Sequence, residues 1–165
     1  MKHLFTTLLF MTFFLGSKAQ EVGSTAFDII LRGVLSHTVN EVSVQDVKGK
    51  TEILFVDARE ESEYEVSHIK DAVFVGYDNL DLSDLGKVDK NKEVVVYCSV
   101  GYRSEKVAEK LLEIGFSDVS NLYGGIFEWI NQEQIVVNLK NEPTDKVHAF
   151  NKVWEIWLKK GEKVY

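Results

Sequence analysis

Cysteine and proline are almost missing from this 165-residue chain, which contains one of each. A lone cysteine excludes an internal disulfide framework and any site built from several thiolates. Basic residues are outnumbered, with 19 Lys and Arg against 26 Asp and Glu, and the net charge of −7 argues against a nucleic-acid-binding protein. Hydrophobic residues make up 45% of the chain, so the composition is that of one globular domain with extensions.

The longest apolar run lies at the N-terminus. Residues 4–15 are apolar except for threonines, they follow Lys2, and they end in Gly16-Ser17-Lys18-Ala19. This pattern is typical of a secretory signal peptide and predicts that residues 1–19 are removed near Ala19. A membrane anchor is the alternative, but the run is shorter than the roughly 20 residues that cross a bilayer. We therefore expect an exported protein, periplasmic or secreted, with no stable membrane insertion after cleavage.

The remainder of the chain alternates helical and strand patterns. Apolar residues with helical spacing predict a leading helix between Phe27 and Leu35, with Thr25 as its cap. Short apolar runs predict buried parallel strands, and a helical pattern with a glycine stop follows the run at 94–97. The strands are expected at residues 53–56, 73–75, 94–97 and 119–122, the long helix at 103–115 and a short helix at 125–130.

The C-terminal region has an aromatic stripe. Apolar residues recur from Val147 to Leu158, which predicts a terminal amphipathic helix, with Pro143 in the linker before it. We expect most of the stripe to lie in the core, and a partner-binding face is the alternative. The predicted organisation is a signal peptide (1–19), an N-terminal helical extension (20–45), a central domain (46–135) and a C-terminal helical extension (136–165).

The single cysteine lies in a chemically suggestive position. Cys98 follows the strand at 94–97, and a loop containing Gly101 leads from it to Arg103 and the next helix. A loop at a helix N-terminus directs backbone N–H groups at one point and favours an anion there, so Cys98 is expected to be a nucleophilic thiolate. Arg103 is expected to bind substrate or to support loop carbonyls. The alternative is a buried structural cysteine.

Three motifs in order resemble those of the rhodanese-like domain. They are Asp57-Ala58-Arg59-Glu60-Glu61-Ser62-Glu63-Tyr64 with His68-Ile69, the loop Cys98–Ser104, and Tyr123-Gly124-Gly125-Ile126-Phe127-Glu128-Trp129. The resemblance covers about residues 46–135. It implies an α/β rhodanese-like fold, with a central parallel β-sheet flanked by helices, and a cysteine that accepts sulfane sulfur as a persulfide and donates it to a thiophilic acceptor.

The resemblance also assigns residues. It implies that Cys98 is the nucleophile, Arg103 a second catalytic residue, and Ser99, Val100, Gly101, Tyr102 and Ser104 the substrate-binding loop. Thiosulfate is the family's familiar donor, with cyanide or a thiol as acceptor. In this chain, however, Arg103 is the only charged residue in the loop from Ser99 to Arg103, and this lack of further basic residues does not favour thiosulfate as the donor. Phosphatase loops place five residues between Cys and Arg, and the four here indicate a tighter loop suited to one sulfur atom.

Several residues near the motifs have both structural and functional interpretations. Asp57 and Arg59 are expected to form a supporting ion pair, with attraction of an anionic donor by Arg59 as the alternative. His68 is expected to be structural.

No metal-ligand spacing or nucleotide fingerprint occurs, so no metal or bound cofactor is expected. The expected partners are a small-molecule sulfur donor and a thiol or cyanide acceptor, with a partner protein as a further possibility and no nucleic acid. The alternatives to a sulfurtransferase are a non-catalytic module that binds an anion or a protein, and a redox thiol.

Overall fold

The computed structural model describes residues 22–165, and the predicted signal peptide lies outside them. A five-stranded sheet is the centre of the fold, with strand order β1-β5-β4-β2-β3 and every pair parallel. Its strands are β1 (Asn40–Val42), β2 (Leu54–Asp57), β3 (Val73–Phe74), β4 (Val94–Tyr97) and β5 (Val119–Leu122). The predicted α/β fold with a central parallel sheet is confirmed.

The strand β4 is buried on both faces because it lies in the middle of this sheet. Val94 and Val96 pack into the hydrophobic cluster on one face, whereas Val95 and Tyr97 pack into the cluster on the other, as the two-residue period of a strand requires. All four residues are fully buried. The apolar run that predicted this strand therefore reflects its two covered faces.

Helices cover the two faces of the sheet. They are α1 (Thr25–Val34), α2 (Val44–Val47), α3 (Glu61–Val66), α4 (Tyr102–Glu113) and α5 (Gly125–Asn131), with a 3₁₀ turn at Ser83–Leu85. The predicted helices at the N-terminus, after Cys98 and at residues 125–130 are confirmed, although the cap of α1 is Ser24, whose Oγ accepts from the Phe27 N–H at 3.3 Å. Within residues 22–165, no helix is long and apolar enough to cross a membrane.

Strand β1 has no counterpart among the strands predicted from the sequence. It is an edge strand of three residues, partly exposed, and it pairs with β5 from Asn40 to Val42. Such a strand has no continuous apolar run, which was the pattern used to predict the others. It also lies before residue 46, where the central domain was predicted to begin.

The predicted C-terminal amphipathic helix is wrong. The region instead contains β6 (Val136–Val137), β7 (Pro143–Thr144), β8 (Lys146–His148), a 3₁₀ turn (Trp154–Trp157) and β9 (Glu162–Val164). β6 pairs with β7 and β8 with β9, so Pro143 lies in a short strand and not in a linker. A helix cannot pass through Phe150, whose φ of 61° is left-handed.

The aromatic stripe nevertheless faces the core in part. Val147 and Leu158 are buried, and Trp157 stacks on Phe27 with ring centroids 5.2 Å apart. Residues three apart eclipse in a 3₁₀ turn, so the spacing of Trp154 and Trp157 fits that turn as well as it fits an α-helix. The C-terminal segment therefore folds back against the main domain, with β8 beside α3.

Candidate active site

Cys98 lies at the carboxyl end of β4, where the chain turns into α4. Gly101 begins that helix with a φ of 120°, which favours glycine, and its N–H donates to Cys98 Sγ at 3.2 Å. Cys98 is only 1% exposed, yet it lines a cavity. Cys98 is thus enclosed by the loop and borders the cavity.

The loop is fixed from below by the N-terminus of α5. The N–H groups of Ile126 and Phe127 donate to the carbonyl oxygens of Cys98 and Ser99, at 2.9 and 3.2 Å. A Cβ on Gly125 would lie 2.4 Å from the Cys98 carbonyl oxygen, and the φ of Gly125 is 56°. Only glycine allows this close approach, which explains the glycine at position 125.

The far end of the loop is held by side chains from α4 and β5. Asn121 Nδ2 donates to the Gly101 carbonyl oxygen at 3.0 Å, and the Ser104 hydroxyl donates to Asn121 Oδ1 at 2.7 Å. Both side chains are fully buried. Ser104 therefore lies behind the loop, and it supports Gly101 both through Asn121 and directly, with its Oγ 3.1 Å from the Gly101 carbonyl oxygen.

Arg103 is paired with a buried carboxylate. Its Nη1 and Nη2 donate to the two Glu63 oxygens at 2.6 and 2.8 Å, and Nη2 also lies 2.9 Å from Ser99 Oγ. The Ser99 hydroxyl donates to the same carboxylate at 2.9 Å. Burial by itself raises the pKa of Glu63, but the hydrogen bonds and positive charge of Arg103 outweigh it and lower the pKa to about 2.

The cavity above Cys98 has a volume of about 470 Å³. Its floor is the active-site loop, and its walls come from α1, from the segments after β2 and β3, and from the C-terminal segment. The wall residues are Val34, Glu60, Tyr77, Asp78, Phe150 and Trp154, and the floor residues are Cys98, Ser99, Val100, Tyr102 and Arg103.

The model of the rhodanese-like domain matches residues 41–132 of the chain. The protein belongs to the rhodanese-like domain family. Among curated relatives, a tRNA uridine(34) hydroxylase of Hamiltonella defensa is 41% identical over 100 residues, which are 58% of this chain and 27% of that protein. The Yersinia pestis protein of the same name is 35% identical over 100 residues, 58% of this chain and 28% of its own length. The chain thus spans about a quarter of the length of these relatives.

Solved structures of rhodanese-like domains share the fold. The rhodanese-like domain of an Anabaena protein aligns with a TM-score of 0.55 at 21% identity, over 60% of this chain and 79% of that one. A thiosulfate sulfurtransferase from Pseudomonas aeruginosa aligns with a TM-score of 0.53 at 23% identity, over 61% of this chain and 20% of that one. At these identities the likeness extends to the fold alone.

The rhodanese-like loop brings most of the predicted site residues together. Cys98, Ser99, Val100, Tyr102 and Arg103 line the cavity, and Gly101 supplies the N–H at the sulfur. These are the loop residues named from the sequence, apart from Ser104 behind it.

The supporting residues named with the first rhodanese motif lie away from the cavity. Arg59 is fully buried and donates to Asp57 through Nε at 2.9 Å and Nη2 at 2.6 Å, and to the Ser67 carbonyl oxygen at 2.6 Å. This geometry is that of a structural ion pair, and it does not present Arg59 to a donor. His68 is buried, stacks on Tyr64 with centroids 3.9 Å apart, and fits the structural interpretation.

Several contributors to the site were missed from the sequence. Glu63 is part of the first motif, but no role was predicted for it. Its position on the buried face of α3 is the signal that could have identified it. Phe150 and Trp154 were assigned to a helix that does not form. Within residues 22–165, no cluster of three or more His, Cys, Asp or Glu side chains is placed to hold a metal ion.

Proposed function

We propose that the protein is a sulfurtransferase, or persulfide carrier, that moves sulfane sulfur through a Cys98 persulfide. The observation that supports it most directly is the Gly101 N–H at 3.2 Å from Cys98 Sγ, in a loop that opens to a cavity. A hydrogen bond from a backbone N–H favours the thiolate, which is the form of cysteine that attacks sulfur. Thiolate attack needs no general base, in agreement with the lack of a histidine among the residues that line the cavity.

The proposed reaction consists of two displacements at sulfur. The Cys98 thiolate attacks the outer sulfur of a donor such as thiosulfate, the donor S–S bond breaks, and sulfite leaves with the electron pair. A cyanide or thiol acceptor then attacks the outer sulfur of the Cys98 persulfide, and Cys98 leaves as a thiolate. The protein ends in its starting state, and sulfur has been transferred.

Arg103 acts in this scheme by holding the loop in place. Its guanidinium is occupied by Glu63 and Ser99, so it connects α3 to the loop residue beside Cys98. Arg103 is part of the cavity floor, and its positive charge is paired with the Glu63 carboxylate. Arg103 is thus proposed as a positioning residue.

Transfer RNA is not included in the proposal. The relatives whose name mentions tRNA are about four times longer than the matched region, and the net charge of −7 is unfavourable for contact with phosphates.

We also propose export, on the basis of the signal-peptide pattern in residues 1–19, with a periplasmic or secreted location.

Mass spectrometry of the full chain after incubation with sulfane donors tests the proposed function. We expect a gain of about 32 Da, one sulfur atom, confined to the peptide that contains Cys98 and lost on addition of cyanide. Because Cys98 is the only cysteine, Cys98→Ser should show no gain while its circular dichroism stays that of the wild type. A folded wild-type protein with no adduct from any donor would favour the non-catalytic binding module instead.

A further inference from the structure

The cavity over Cys98 is closed by residues outside the region that matches the family. The match ends at residue 132, whereas Phe150 and Trp154 form part of the cavity wall. Val34, on the other side, precedes the match. Part of the cavity wall is therefore supplied by segments outside the rhodanese-like region, whereas the floor and the remaining wall residues lie within it.

Phe150 is held over the active site by its local backbone. Its φ of 61° is unfavourable for a residue with a large side chain, and its N–H donates to His148 Nδ1 at 3.1 Å. The ring centroid lies 4.8 Å from Arg103 Cζ, which is within cation–π distance, although 41% of the residue is exposed. A strained, half-exposed aromatic side chain against the loop indicates a binding role.

Trp154 is fixed in a similar way. Asn151 Oδ1 accepts from the Val153 and Trp154 N–H groups, at 2.9 and 3.1 Å, and this cap begins the 3₁₀ turn. The indole packs against the main hydrophobic cluster and also lines the cavity. Both aromatic residues are therefore held in place independently of a ligand.

The charges around the cavity disfavour anions. Among the described lining residues, Arg103 is the one with a positive charge, and Glu63 neutralises it. Two carboxylates line the cavity: Glu60, with Oε1 3.9 Å from Arg103 Nη1, and the exposed Asp78, whose N–H donates to that same Oε1 at 3.3 Å. A carboxylate on an acceptor thiol would therefore meet an aromatic wall and excess negative charge.

We infer that this cavity selects, as sulfur acceptor, a small thiol with an apolar or aromatic body and no charged group besides the reacting thiolate, and that Phe150 and Trp154 determine this specificity. The inference rests on the proposed function and names its acceptor class. A volume of about 470 Å³ is in the range of small-molecule sites. The acceptor thiolate attacks the outer sulfur of the Cys98 persulfide, the S–S bond breaks, Cys98 leaves as a thiolate, and the acceptor becomes a persulfide.

Sulfur transfer from the loaded full chain to thiols of different character tests this inference. The probes are benzyl mercaptan and mercaptosuccinate, and each rate is divided by the rate of the same thiol with a free cysteine persulfide, which removes intrinsic reactivity. We expect the corrected rate for benzyl mercaptan to exceed that for mercaptosuccinate by tenfold or more. Equal corrected rates would overturn the inference and would suit an acceptor cysteine on a partner protein that does not enter the cavity.

Variants of the cavity wall assign the effect to residues. Phe150→Gly removes the ring and accepts the left-handed backbone without strain, and we expect it to reduce the preference for benzyl mercaptan by about tenfold. Trp154→Leu should reduce it in the same direction. Ile156→Ala is the matched control, because Ile156 lies in the same 3₁₀ turn, is 52% exposed and does not line the cavity.

The two proposals fail in distinguishable ways. If Cys98 takes up no sulfur, the proposed function is wrong and the acceptor inference, which rests on it, is overturned with it. If Cys98 is loaded but Phe150→Gly and Trp154→Leu keep the wild-type preference while folded by circular dichroism, the sulfurtransferase stands and the specificity assignment is overturned.

Discussion

Arg103 forms a bidentate ion pair with Glu63, a carboxylate that is 2% exposed and lies 40 residues earlier in the chain. The pair joins α3 to the first turn of α4, and the Ser99 hydroxyl donates to the same carboxylate. Two charged groups that are removed from water depend on each other for their solvation. The active-site loop, which follows β4, is therefore connected by this ion pair to α3, which follows β2.

Replacing Glu63 by Gln should destabilise the protein and lower its activity together. The variant leaves the Arg103 guanidinium without its counter-charge in a buried place, which costs roughly 3 kcal/mol of unfolding free energy. Urea denaturation measures this change, and the control is Glu65→Gln, because Glu65 lies exposed on the same helix. Equal stability of the two variants would show that the pair contributes nothing to the fold.

The same carboxylate predicts an acid limb of stability. The pKa of Glu63 is about 2 in the folded chain against 4.5 ordinarily, so the unfolded state takes up the proton first as the pH falls. The contribution is fully present above about pH 4.5 and is lost as the pH falls towards 2. We expect the stability difference between wild type and Glu63→Gln to narrow steadily between these values. A difference that is constant with pH would contradict this assignment.

Arg103→Lys should slow sulfur transfer while Cys98 still reacts with iodoacetamide. An ammonium group keeps the charge but cannot donate to both Glu63 oxygens and to Ser99 in the planar geometry of a guanidinium. A loop displaced by about 1 Å costs on the order of 10- to 100-fold in turnover. Persulfide formation and discharge, timed separately, measure the effect. Wild-type kinetics with every donor would remove Arg103 from the mechanism.

Gly125→Ala should damage both the fold and the loop. The new Cβ would approach the Cys98 carbonyl oxygen at 2.4 Å, and the φ of 56° disfavours alanine. A destabilisation of roughly 2–4 kcal/mol is expected. Gly33→Ala is the control, because Gly33 lies in α1 with nothing within 4 Å of its would-be Cβ, and this change should be neutral or stabilising. Thermal unfolding of the two variants makes the comparison.

Local sequence patterns were sufficient for the central strands and the active-site loop. β4 is recognisable because both of its faces are covered, and Cys98, Gly101 and Arg103 follow it within six residues. The Glu63 pair was not predicted, because it depends on how α3 packs against α4, and no local period encodes that packing. The C-terminal helix was predicted wrongly because the same apolar spacing suits a strand followed by a 3₁₀ turn, and the left-handed Phe150 decides between them.

The near-complete burial of Cys98 also controls which molecules can reach it. A disulfide requires two Cβ atoms within about 4.5 Å, and a cysteine residue that is 1% exposed at the base of a cavity does not offer that approach to a cysteine on another folded protein. A persulfide places a second sulfur about 2 Å further out, on the cavity side. The Cys98 thiol is therefore shielded from mixed-disulfide formation with other proteins, and under the proposed function only the outer sulfur of the persulfide would be presented to incoming thiols.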